Sequence, residues 1–107
     1  MRDPLDGSNA VSIPRGARVL YMIVETFRGG RPEAVYERVR KRGRLAPAGL
    51  QYVASWVTLD GAKCYQVMEC EDRTLLDHWI AAWSDLVEFS VTPVMTSADA
   101  AAKYTPT

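Results

Sequence analysis

The sequence predicts an α+β fold: strand, helix, two strands, helix, strand, with a four-stranded antiparallel sheet carrying both helices on one face. Three observations predict it. Lys63 to Cys70 alternates and reads as a strand. Directly after it, Leu75, Leu76, Trp79, Ile80 and Trp83 recur at helical spacing. The same strand-then-helix pattern occurs upstream, where Tyr21–Thr26 lines up with Tyr65–Cys70, and Val35 and Val39 line up with Trp79 and Trp83. The chain therefore reads as two copies of one strand-helix-strand unit.

In chain order, Met1 to Ala17 is polar, contains Pro4, Gly7, Pro14 and Gly16, and shows no period, so it is expected to be a flexible leader outside the fold. Arg18 to Phe27 is the first strand. Arg28 to Arg31 is a turn, and Pro32 suits the first turn of a helix because its missing N–H is not needed there. Pro32 to Arg42 is the first helix, with Val35, Tyr36 and Val39 as its inward stripe, ended by Gly43. After a loop with Pro47 and Gly49, Leu50 to Thr58 is the second strand. Asp60-Gly61 signals a hairpin into the third strand, Lys63 to Cys70. Asp72 caps a second helix, Arg73 to Ser84. Val87 to Thr96 is the fourth strand, and Pro93 argues for an edge position or a bulge. The folded domain is thus expected over Arg18 to Ser97, with a short Ala-rich tail, or a frayed helical turn, at the C-terminus.

This β-α-β-β-α-β order is the ferredoxin-like plan, with sheet order 4-1-3-2. Strands one and three are central in it and expected to run parallel to each other. The helices cover one face, and the other is left open and wants a partner. Alternation divides each strand into two sets. Tyr21, Ile23 and Glu25, and by the repeat Tyr65, Val67 and Glu69, are assigned to the helix side. Leu20, Met22, Val24 and Thr26, with Cys64, Gln66, Met68 and Cys70, are assigned to the open face.

Composition narrows the function classes. The 107 residues suffice for one core without metal or disulfide staples. Thirteen basic residues balance thirteen acidic ones, so net charge predicts neither a nucleic-acid nor a membrane partner. The charge is unevenly spread: Arg28–Arg44 holds seven basic and two acidic residues, and Glu69–Glu88 six acidic and one basic. Cys64 and Cys70 lie on one strand roughly 20 Å apart, too far to bridge. With a single histidine there is no zinc set, and no metal or cofactor is expected. Reduced thiols fit a cytoplasmic protein. The longest apolar run, Val19 to Val24, is far too short to span a bilayer.

Several blocks carry a resemblance. Val19 to Phe27, Arg42-Gly43-Arg44-Leu45-Ala46-Pro47, Tyr52-Val53-Ala54-Ser55-Trp56-Val57, Cys64 to Cys70, and Trp79 with Trp83-Ser84-Asp85-Leu86 resemble the bacterial family known as domain of unknown function 3303. That family carries no assigned activity, so no catalytic residue transfers. The resemblance implies a relation to dimeric α/β-barrel proteins, in which two ferredoxin-like sheets pack open face to open face around a cavity. Those include cofactor-free monooxygenases, haem-degrading enzymes and proteins without known activity. A haem-binding Asn/Trp/His set has no match here, Cys70 standing where a cavity aromatic would be.

Single residues and clusters also have plain structural roles. His78 lies off the apolar stripe and reads as a surface histidine. Glu25 and Glu69, at the ends of two adjacent strands, read either as a paired carboxylate site or, in preference, as two helix-start anions. Cys64 and Cys70 read as small buried hydrophobes. Arg38, Arg40, Lys41, Arg42 and Arg44 read as a solvated helix end, with Glu37 within reach of Lys41, or as cations neutralising the acidic Glu69–Glu88 stretch. Trp56, Trp79 and Trp83 read as core anchors.

The leading functional expectation is a homodimer binding a small, largely apolar ligand between the open faces, in a cavity lined by Met22, Ser55, Cys64, Gln66 and Met68, with Gln66 as the orienting group. A cofactor-independent monooxygenase or isomerase in the same cavity is the first alternative, with Gln66, Tyr21, Tyr65, Glu25 or Glu69 as the available groups. A purely structural dimer is the second.

Overall fold

The computed structural model describes residues 17–106. The expected leader lies almost wholly outside the described residues. Strand β1, Val19–Phe27, buries Tyr21, Ile23, Glu25 and Phe27 on one side. A 3-10 turn at Arg28–Gly30 leads to α1, Glu33–Arg42. Pro32 sits at the N-cap, one residue earlier than a helical position. Gly43 ends α1 at φ 73°, a left-handed conformation open to glycine, and its N–H returns to the Val39 carbonyl at 2.8 Å. Strands β2, Gln51–Val57, and β3, Lys63–Cys70, form the hairpin. Helix α2, Arg73–Trp83, is capped by Asp72, whose carboxylate accepts from the Thr74 N–H at 2.9 Å. Strand β4, Val87–Val94, follows, and the Ala-rich end forms a further helix, α3, Ser97–Tyr104.

The four strands form one sheet in the order β2-β3-β1-β4, the ferredoxin-like arrangement. Pro93 lies on β4, an edge strand, where a missing ladder donor is tolerated. The parallel orientation expected for β1 and β3 is not found: they pair antiparallel, with Tyr21 opposite Met68, Ile23 opposite Gln66 and Glu25 opposite Cys64. Residues directly opposite each other share a face. The helix side of β3 is therefore Cys64, Gln66, Met68 and Cys70, all buried, and Tyr65, Val67 and Glu69 turn to the open face. The assignment from the repeat holds for β1 and is reversed for β3. The two halves match one residue out of step: Phe27, the last residue of β1, corresponds to Cys70, the last of β3, and a one-residue shift moves every side chain to the other face.

Leu76, Trp79 and Trp83 of α2 pack with Tyr21, Ile23, Leu50, Met68 and Cys70 in the main core. Trp79 meets Phe89 edge-on, with ring centroids 5.4 Å apart. Helix α1 packs differently. Val35 and Val39 are only partly buried, no residue of α1 is buried outright, and Tyr36, expected to face inward, is 52% exposed. Valines stand on α1 where α2 carries indoles. The shorter side chains leave space between α1 and the sheet, and that space is the site described next.

Among the described residues no helix is long and apolar enough to cross a membrane. The opposite face of the sheet presents Met22, Val24 and Val67, with Trp56 61% exposed and Tyr65 40% exposed.

Candidate functional site

A half-open cavity of about 90 Å³ lies beneath α1. Phe27, Val35, Val39, Val57, Trp79 and Trp83 give it apolar walls, and Glu25, Tyr36, Arg44, Ser55, Cys64 and Gln66 give it polar ones.

Each polar group is placed by the sheet register. Glu25 is on the inward set of β1, opposite Cys64. Its residue is only 7% exposed, and among the described residues its carboxylate makes no ion pair. Burial pushes its pKa up to about 7, against a smaller downward pull from the Arg44 guanidinium. Cys64 is pushed up to about 11, first by burial and then by the charge of Glu25, so its thiol stays protonated at neutral pH.

Gln66 is 3% exposed. Its Oε1 accepts from Arg44 Nη1 at 3.5 Å, a long and weak hydrogen bond, and its Nε2 has no partner among the described residues. Beside it, β2 changes register between Tyr52 and Ala54. The bulge brings Tyr52 and Ser55, three positions apart, onto one face, where the Tyr52 hydroxyl and Ser55 Oγ are 2.7 Å apart. The Arg44 guanidinium stacks 3.7 Å from the Tyr52 ring centroid.

Arg44 is held by its backbone. Its carbonyl accepts from both indoles, Trp79 Nε1 at 3.0 Å and Trp83 Nε1 at 2.9 Å. On either side the chain turns through left-handed conformations, Gly43 at φ 73° and Leu45 at φ 62°. A non-glycine residue there costs roughly 1–2 kcal/mol, which the two indole bonds help offset. The loop from α1 thus delivers one cation to the cavity rim at a fixed height.

Three of the other four residues of the basic cluster are paired elsewhere. Arg38 makes a two-pronged pair with Asp85, at 2.9 and 2.6 Å, and also donates to the Ala82 carbonyl. Arg40 and Lys41 both reach Glu37. The neutralisation expected between the basic and acidic stretches thus exists within one chain, through Arg38 and Asp85.

Of the five residues expected to line a site, Ser55, Cys64 and Gln66 meet in this cavity. Met68 is on the same face but fully enclosed in the core, and Met22 is on the opposite face of the sheet. The paired-carboxylate arrangement does not occur. Glu69 lies opposite Leu20, near the other end of the ladder, and pairs with Arg18 at 3.2 Å. His78 is exposed on α2. Tyr36, Tyr52 and Arg44 were not anticipated as site residues. The signal that could have found Arg44 is the run Arg42-Gly43-Arg44, where a glycine stop ends a basic helix and aims the next cation back at the sheet. Among the described residues no cluster of three or more His, Cys, Asp or Glu could hold a metal ion.

Fold and cavity together define a two-layer α+β protein of ferredoxin-like architecture with a mixed polar and apolar pocket under its first helix. The chain belongs to the family described as Domain of unknown function (DUF3303), whose model matches residues 19–107. No curated protein and no solved structure is matched.

Proposed function

We propose that the protein binds a small molecule with an apolar body and a hydrogen-bond acceptor in the cavity beneath α1. The observation that carries this is Gln66, which lines the cavity and whose buried Nε2 has no partner among the described residues. Leaving such a donor unpaired costs roughly 1–3 kcal/mol, and an acceptor on a ligand recovers it. Arg44 supplies a second donor at the rim. The volume, about 90 Å³, is below the roughly 150 Å³ of a cavity known to hold benzene. The buried part of the ligand is therefore smaller than a full ring, with the remainder leaving past Tyr36 through the open side of the cavity. Ring-sized probes test this. Cyclohexanone and phenol should raise the melting temperature of the wild type, and Gln66→Leu should remove most of that rise. Equal stabilisation of both proteins would overturn the reading.

A second reading concerns the uncovered face. We infer a homodimer joined there, with two sheets meeting as in a dimeric α/β barrel. Trp56 and Tyr65 stand exposed beside Met22, Val24 and Val67, an apolar patch on the face of the sheet away from α1 and α2. A self-complementary patch of this kind suits a two-fold contact. Met22 then belongs to the interface or to a space between sheets, apart from the cavity under α1. Native mass spectrometry reads the outcome: a dimer for the wild type and a monomer for Trp56→Asp. A monomeric wild type at tens of micromolar would overturn it. The free, buried thiols of Cys64 and Cys70 support a reducing, cytoplasmic setting.

A further inference from the structure

We propose that the cavity beneath α1 is a proton-transfer site, in which Glu25 takes a proton from a carbon next to the carbonyl of a small cyclic ketone whose oxygen is held by Gln66 and Arg44. The proposal rests on the ligand-binding reading of the cavity and adds chemistry to it.

The register supplies the geometry. Glu25 lies opposite Cys64, and Gln66 lies opposite Ile23, so Glu25 and Gln66 are diagonal neighbours on one face of the β1–β3 pair. Diagonal pairs stand about 7–8 Å apart. That is a backbone separation; the two side chains rise from it into one cavity, where a small ketone can present its α-hydrogen to one and its oxygen to the other. One side offers a carboxylate. The other offers two hydrogen-bond donors, the Gln66 amide, whose Nε2 has no partner among the described residues, and the Arg44 guanidinium. Phe27, Val35, Val39 and the two indoles give the apolar body its walls. A base on one side and preorganised donors on the other are what enolisation requires.

The step balances without an oxidant, a reductant or a cofactor. The Glu25 carboxylate accepts the proton from the α-carbon. The C–H electron pair forms a carbon–carbon double bond, and the carbonyl π pair moves to oxygen. The resulting enolate oxygen is stabilised by the Gln66 N–H and the Arg44 cation. In a β,γ-unsaturated ketone, Glu25 then returns the proton to the γ-carbon, and the product is the conjugated isomer.

The environment suits the role. A carboxylate whose pKa is pushed up to about 7 by burial is a stronger base than a solvated glutamate and is still ionised in part at neutral pH. The titratable or charged groups that line the cavity with it are Tyr36 from α1, Cys64 from β3 and Arg44 from the loop, while α2 contributes only Trp79 and Trp83. Of these, Arg44 is the one whose charge opposes protonation of Glu25.

The test uses two probes. Conversion of 3-cyclohexen-1-one to 2-cyclohexen-1-one is followed by the absorbance of the conjugated product. Exchange of the α-hydrogens of cyclohexanone in deuterated water is followed by NMR. The wild type should accelerate both, Glu25→Gln should lose on the order of 100-fold in rate, and Arg44→Gln, altered at an exposed position, should lose less. The wild-type rate should rise with pH through about 7. Binding is read separately, from shifts of the Trp79 and Trp83 indole N–H signals. Cyclohexanone that shifts these signals equally in wild type and Glu25→Gln, with no difference in exchange rate, overturns proton transfer and leaves the binding reading standing. Cyclohexanone that shifts neither signal overturns both.

Discussion

Glu25 and Cys64 face each other across the β1–β3 ladder, and both side chains line the same cavity. Burial raises the cost of ionising both, and the charge of Glu25 raises that of Cys64 further. Two consequences can be measured.

The first concerns stability. In the unfolded chain Glu25 titrates near its ordinary value of 4.5, and in the folded protein at about 7. Between those values unfolding releases a proton, so stability falls as pH rises from 4.5 to about 7 and levels off above. The whole effect is on the order of 3 kcal/mol. Glu25→Gln should remove this slope, and its melting temperature should exceed that of the wild type at pH 8 by more than at pH 5. Parallel curves for the two proteins would show that Glu25 is not desolvated.

The second concerns thiol chemistry. With its pKa near 11, Cys64 holds almost no thiolate at pH 8, and Cys70 is raised as well, chiefly by burial. Native protein should therefore react with iodoacetamide far more slowly than a free thiol, and both cysteines should be modified once urea unfolds it. Mass spectrometry counts the adducts, and rapid labelling of Cys64 in the native state would contradict the environment described for it.

Gln66→Leu should have opposite effects on the empty and the occupied protein. The substitution deletes a buried amide nitrogen without a partner among the described residues and loses a long bond to Arg44. The ligand-free protein should gain about 1 kcal/mol, while stabilisation by phenol or cyclohexanone declines. Chemical denaturation with and without probe measures both. A large loss of stability without probe would mean that the amide is satisfied in solution by something other than a ligand.

The shared bond acceptor on Arg44 predicts non-additivity. Trp83→Phe leaves the carbonyl with its bond from Trp79, and Trp79→Phe leaves the bond from Trp83. Each single change should cost about 1 kcal/mol for the bond, plus the volume of the lost ring. The double variant leaves the carbonyl without either indole and should cost more than the two singles together. Faster amide exchange across Gly43 to Leu45 should accompany it. Simple additivity would argue that the two bonds do not hold the loop jointly.

Much of the fold was legible from local chemistry. Gly43, Asp72 and Pro93 each mark a boundary or an edge for a reason carried by the residue itself, and β3 occupies the predicted Lys63–Cys70. The cavity was less legible because it depends on relations between strands. The repeat aligned Glu25 with Glu69 and placed them together, whereas the antiparallel register sets Glu25 against Cys64 and sends Glu69 to the open face. Ser55, Cys64 and Gln66, expected to line a cavity on the open face, do share a cavity, on the opposite side of the sheet. Tyr52 could not have been placed, since alternation without the bulge at Val53 puts it and Ser55 on opposite faces.

The distribution of indoles has a practical consequence. Of the three tryptophans in the chain, Trp79 and Trp83 border the cavity, and Trp56 stands alone on the far side of the sheet. Emission from the first two should respond to an occupant, through quenching or a spectral shift. Emission from the third should respond to self-association. With Trp56→Phe as a reference, one fluorescence titration can separate the two events without any label.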